Sequence, residues 1–197
     1  MPNAKTDLRP AFAAILFLLI LTVGYRLAAS HYDSLGNTAP LMAITFGGVL
    51  LLGARFWWVP PLLLIVSDIA LGIWHGSGGL GIYTIFSIVF YLGVAAVAGK
   101  FSRDGISWPK LWCGTLLCSL LFYLAANTFS WMVFGGYEKS LAGWWQSQTT
   151  GVPGINPPAW MFLRNALIAD SIWCAIAAAV VLLERKFTRE EIPASVR

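Results

Sequence analysis

Apolar positions along the chain gather into six runs, over about residues 10–29, 39–54, 56–74, 82–98, 111–134 and 159–183. A bilayer-crossing helix needs roughly 20 predominantly apolar residues, so runs of this length predict transmembrane helices. Pro60 and Pro61 fall in the first turn of the third run, where proline is tolerated. The runs are separated by a polar turn at 30–38, a glycine-rich loop at 75–81 and a charged loop at 100–110. The longest connection, 135–158, carries Trp144 and Trp145 and a glycine- and proline-rich stretch, and reads as a loop. The expected fold is all-α, with a six-helix transmembrane domain over 10–184. A short segment, 1–9, precedes it and a charged tail, 185–197, follows it. Lys5 and Arg9 ahead of the apolar stretch 11–23 imitate a signal peptide, but no convincing cleavage site follows, so a retained first helix is expected.

Composition strengthens this reading. The chain is 58% hydrophobic and 11% charged, against about 45–50% and about 25% in soluble domains. A soluble fold of 197 residues could not cover that much apolar surface. The net charge of +4 bears on orientation rather than on nucleic acid, which is not an expected partner. With six crossings both termini lie on one side. Ten of the thirteen Lys and Arg residues then share that side, leaving Arg26, Lys139 and Arg164 on the other. The positive-inside rule accordingly puts both termini in the cytoplasm.

Ionisable groups within the runs are the informative chemistry, because a charge inside a bilayer is costly and marks a functional site or a buried pair. They are Arg26, Asp68, Arg164 and Asp170, with Asn37, Asn127 and Asn165 as uncharged polar groups. Asp68 stands about 12 residues into its run, which at ~1.5 Å per residue is roughly 18 Å, at or past mid-membrane. Asp170 has a similar depth from the opposite side, and the whole set gathers toward the outer half. Two readings stay open. Arg26 or Arg164 pairs with Asp68 or Asp170 to fix helix packing, with the asparagines bonding between helices, or the set lines a polar ligand cavity beneath the long connection. Arg164 and Asn165, adjacent on one helix, cannot face the same point.

Trp131, Tyr137, Trp144 and Trp145 fit interfacial anchors or a stacking lid. His31 and His75 lie in outer loops as plain loop residues, a weak metal pair, or a proton switch. Cys113, Cys118 and Cys174 fall within apolar runs, as small core residues or as a cavity-lining thiol, and suggest no disulfide framework. No phosphate loop, zinc-protease motif or serine–histidine arrangement occurs. The expectation is a non-enzyme with no cofactor and no metal site.

Several short segments together resemble the substrate-binding S components of energy-coupling-factor (ECF) transporters, and a bacterial membrane family grouped with them. They are Asn37-Thr38-Ala39-Pro40-Leu41-Met42-Ala43, Ser67-Asp68, Asn127-Thr128-Phe129-Ser130-Trp131, and Arg164-Asn165 with Asp170. The resemblance spans roughly residues 20 to 180. It implies an S-component-like bundle in the bacterial inner membrane that captures a vitamin or similar micronutrient in its outer half. The implied binding residues are Arg26, Asn37, Asp68, Asn127, Trp131, Arg164, Asn165 and Asp170. The implied partners are the small-molecule substrate, the lipid bilayer, and a coupling subunit with two ATPases. The chain departs from the pattern in places. Ala11-Phe12-Ala13-Ala14 lacks the Ala-x-x-x-Ala spacing of coupling-subunit docking, and residues 76–83 lack the cysteine of solitary corrinoid importers. A non-transport assembly subunit of an envelope complex is the alternative, and a membrane-embedded enzyme a third.

Overall fold

The computed structural model describes residues 20–32, 35, 38–76, 80–102, 107–155 and 157–190, with the side chains of 51–52 and 180–190 left out. The described residues hold helices and no strands. Helix α1 is Ile20–Ala29. Helix α2 covers 41–52, with a π-helical stretch Ala43–Gly48 running into α-helical Val49–Leu52. A 3-10 turn, Ala54–Phe56, leads into α3, Val59–His75. Then come α4, Ile82–Phe101, and α5, Trp108–Val133. The short α6, Leu141–Gln148, and the long α7, Ala159–Glu190, complete the order.

Four helices are long and apolar enough to cross a membrane: Ala54–His75, Ile82–Phe101, Trp108–Val133 and Ala159–Ala179. By length and composition the chain is a multi-pass membrane protein. The first and second apolar runs differ from these four. Of the first, only the part from Ile20 lies within the described residues. The second forms a helix of only twelve residues, 41–52, about 18 Å long against a hydrocarbon core of ~30 Å. Its end is set by Gly53, whose φ of 93° is open to glycine and strained for other residues.

The short helix is compatible with a bilayer because protein covers it. Phe46, Val49 and Leu50 are fully buried, and α2 touches α3, α4, α5 and α7. Irregular backbone at membrane depth is tolerated only in such a place. Around it packs the core: Leu63 and Leu64 of α3, Tyr91, Val94, Ala95 and Ala98 of α4, Leu111 and Cys118 of α5, and Cys174 of α7. Two of the three cysteines are thus core residues; Cys113 is exposed. Gly114 lets α5 approach this core, since a Cβ there would sit 2.3 Å from the Phe46 ring.

The ends of the helices follow from local chemistry. Gly76, at φ 64°, closes α3 in the left-handed conformation. Thr84, in the first turn of α4, accepts from the Gly81 N–H at 3.4 Å. The connection 135–158, read from sequence as a loop, contains α6. The Ser140 hydroxyl caps α6 by accepting from the Gly143 N–H at 3.1 Å. A Cβ at Gly143 would fall 2.0 Å from the Glu138 carbonyl oxygen, so the turn into α6 needs glycine. Helix α6 docks on α5: Trp144 Nε1 donates to Thr128 Oγ1 at 3.0 Å, Gln148 Nε2 donates to the same oxygen at 3.2 Å, and the Tyr123 hydroxyl donates to the Gln148 carbonyl.

Candidate functional site

A cavity of about 350 Å³ lies among α1, α3, α4, α5, α7 and the start of α2, within the ~300–1,000 Å³ range of small-molecule sites. Each wall carries a carboxylate. On one side Arg26 of α1 donates through Nη1 to Asp68 Oδ1 of α3 at 2.6 Å, and also to the Ser67 hydroxyl. Thr84 of α4 donates to the other oxygen, Asp68 Oδ2, at 2.7 Å. Three helices are therefore joined at one acid. Arg26 and Asp68 remain 20% and 15% exposed. The pair is electrically closed, yet the Arg26 N–H groups other than Nη1 have no partner among the described residues.

The opposite wall is built differently. Asp170 of α7 is only 2% exposed. Its Oδ1 accepts from the Ala43 N–H at 3.2 Å and its Oδ2 from the Ser119 hydroxyl of α5. The Ala43 N–H is available to a side chain because it lies at the start of the π-helical stretch, where the helix leaves its first donors unpaired. Among the described residues no Lys or Arg forms an ion pair with Asp170, whereas Arg26 is paired with Asp68. Tyr91 of α4 also lines the cavity. It is 5% exposed and stacks on Phe122 with ring centroids 5.3 Å apart. Its hydroxyl has no hydrogen-bond partner among the described residues.

Of the eight residues singled out from sequence, the structure brings Arg26, Asp68 and Asp170 to this cavity. Asn37 lies outside the described residues. Asn127 turns back on its own helix, donating to the Tyr123 carbonyl at 3.0 Å. Trp131 is one turn further along α5, where its Nε1 donates to the Glu138 carbonyl at 2.9 Å and Lys139 sits 5.9 Å over its ring. Trp131 thus ties down the start of the long connection. Arg164 donates to Asn165 Oδ1 at 3.2 and 3.0 Å and lies 5.4 Å above the Trp160 ring. Asn165 is buried away from the cavity lining. The inward stripe of α7 is Phe162, Ala166 and Asp170, at i, i+4 and i+8, which separates Asp170 from the Arg164 and Asn165 faces. No residue of α6 lines the cavity.

Sequence reasoning passed over Thr84, Ser119 and Tyr91. Thr84 had a usable signal, a threonine three positions after a helix-starting glycine. Ser119 and Tyr91 had none, since hydroxyls are common within apolar runs. Fold and cavity together define a multi-pass helical membrane protein with a ligand-sized space among its helices, largely apolar but bearing three charged side chains. By sequence the chain belongs to a family of unknown function, DUF6580, whose profile matches residues 6–193. No curated protein and no solved structure matches it.

Proposed function

We propose that the protein captures a small water-soluble molecule, a vitamin or similar micronutrient, from outside the bacterial inner membrane, in the manner of an ECF S component. The observation that carries this reading is the cavity itself: a ligand-sized space whose polar lining comes from α1, α3, α4, α5 and α7. In this reading the chain crosses six times, with the covered α2 counted as the second passage. Both termini are cytoplasmic, following the bias of Lys and Arg to one side. Arg26, Asp68, Thr84 and the Ala43 end of α2 then all belong to the outer half, facing the supply of solute. Energy for release inside would come from a coupling subunit with its ATPases, as the chain has no phosphate loop of its own.

One observation favours the alternative, an assembly subunit of an envelope complex: the Arg26–Asp68 pair is joined directly, as a packing device would be. A thermal-shift screen separates the two. The purified full chain in mild detergent is tested against water-soluble vitamins, corrinoids and nucleobases. A ligand that binds only the folded state raises the apparent stability by mass action. The capture reading expects one class to raise the midpoint, with the shift lost in Tyr91→Phe. Loss in Asn127→Ala instead would move the site up α5. Folded protein with no shift across the panel overturns the reading in favour of the assembly subunit.

A further inference from the structure

Resting on the capture reading, we infer that the ligand is an organic cation bearing N–H donors, a protonated amine or amidine, and that Asp170 is the group that receives it. The argument is one of charge and of lone pairs. The described lining contains three formal charges, Arg26, Asp68 and Asp170. Arg26 and Asp68 cancel at 2.6 Å. One negative charge is left, on a carboxylate 2% exposed with no cationic partner among the described residues. A buried charge with no counter-charge is costly unless something compensates it. The two donors Asp170 does have are both uncharged, and each occupies only one oxygen. An ionised carboxylate offers about four lone-pair sites, so acceptor capacity remains on both oxygens.

The rest of the cavity suits the same occupant. The Tyr91 and Phe122 rings stand in the lining; their mutual stacking takes one face of each, and an aromatic face left open attracts a cation lying over it. The unpartnered Tyr91 hydroxyl supplies one more acceptor or donor. At the far wall the remaining N–H groups of Arg26 suit a neutral acceptor on the ligand's other end, a hydroxyl or carbonyl oxygen. A full carboxylate there would give the site two anions facing it without adding a cation. A quaternary ammonium would bring the charge but no N–H for the free lone pairs of Asp170.

The test is a charge series measured on the full-length protein in detergent. Pyridoxamine, pyridoxine and pyridoxate present an ammonium, a hydroxyl and a carboxylate on one ring. Benzylamine, benzyl alcohol and benzoate repeat the comparison. Both sets run beside the wider vitamin and nucleobase panel, in choline chloride and again in sodium chloride. The expected result is that the best ligand of the panel is an N–H cation. Acylating its amine should weaken binding roughly 10- to 100-fold, the ratio that goes with losing a charge-assisted hydrogen bond. Asp170→Asn should abolish that preference while the variant stays folded. The wild-type ranking stands by itself should Asp170→Asn fail to fold. A best ligand that is neutral or anionic overturns the inference and leaves the capture reading in place. A shift produced by sodium alone overturns it in favour of an inorganic ion. No shift in any arm overturns both.

Discussion

The two carboxylates of the cavity stand in contrasting company. Asp68 is met by an arginine and a threonine from two other helices, and the three groups hold α1, α3 and α4 together. Asp170 is more deeply buried, yet only a serine hydroxyl and a backbone N–H reach it. A paired acid whose charge is already met behaves as a fastener. An acid held by neutral donors alone is oriented without a counter-charge, which in the capture reading leaves it open to a ligand. The pattern of partners, more than depth in the membrane, is what separates the two acids.

The largest expected effect tests the fastener. Arg26→Met leaves the Asp68 carboxylate without its cation and should lower stability by about 3 kcal/mol, the low end for breaking a buried pair because both groups keep some exposure. Titration with denaturing detergent, read by circular dichroism, measures it. The double variant Arg26→Met/Asp68→Leu should recover most of the loss, because replacing both partners removes the stranded charge. Wild-type stability in Arg26→Met alone would erase the distinction between the two walls.

Next comes Ser119→Ala, which strips one oxygen of Asp170 of its donor. The cost should be ~2 kcal/mol, within the range for a hydrogen bond to a charged group. It is held down because the single Ser119 proton also has the Thr115 carbonyl within 3.0 Å. Thr84→Val on the other wall should cost less, ~1 kcal/mol, since Asp68 keeps Arg26. The reverse order, with Thr84→Val the more damaging, would mean that Asp68 depends on its neutral partner and that the contrast is misassigned.

Much of this arrangement was legible before the structure. The third, fourth, fifth and sixth apolar runs match α3, α4, α5 and α7 to within a few residues at most ends, because about 20 consecutive apolar residues have few alternatives to a spanning helix. The second run shows where composition falls short. Residues 39–54 are as apolar as their neighbours, but the helix within them stops at Gly53 after 41–52, and hydropathy carries no record of backbone dihedrals. Helix α6 was hidden for a different reason: eight residues with two tryptophans and three polar groups are too short for a periodic signal.

The site was legible to the same extent. Arg26, Asp68 and Asp170 stood out because they are charges in apolar runs. Arg164 met the same criterion yet bonds to its neighbour Asn165 and lies over Trp160. Distinguishing it from Asp170 requires knowing which face of α7 looks inward, and a helix apolar on nearly every side does not say. Ser119 was unreadable because a serine hydroxyl in such a helix bonds to its own backbone as readily as across the bundle, and Tyr91 because an aromatic in an apolar run reads equally well as core packing.

The smallest expected change in stability is the sharpest probe of the comparison. Asp68→Asn and Asp170→Asn are the same chemical edit on opposite walls. The first strands the Arg26 guanidinium and should cost close to what Arg26→Met costs. The second removes a charge that no described cation balances, and the amide oxygen can still accept from Ala43 or Ser119. Its stability should stay within about 1 kcal/mol of wild type, since a neutral hydrogen bond contributes ~0.5–1.5 kcal/mol where a charged one contributes ~1.5–3. Part of that loss is offset by relief of the buried charge. Comparing the two unfolding midpoints under identical conditions decides the matter. A large loss in Asp170→Asn equal to that in Asp68→Asn would make both acids fasteners, and the unpaired charge would no longer mark a place for a ligand.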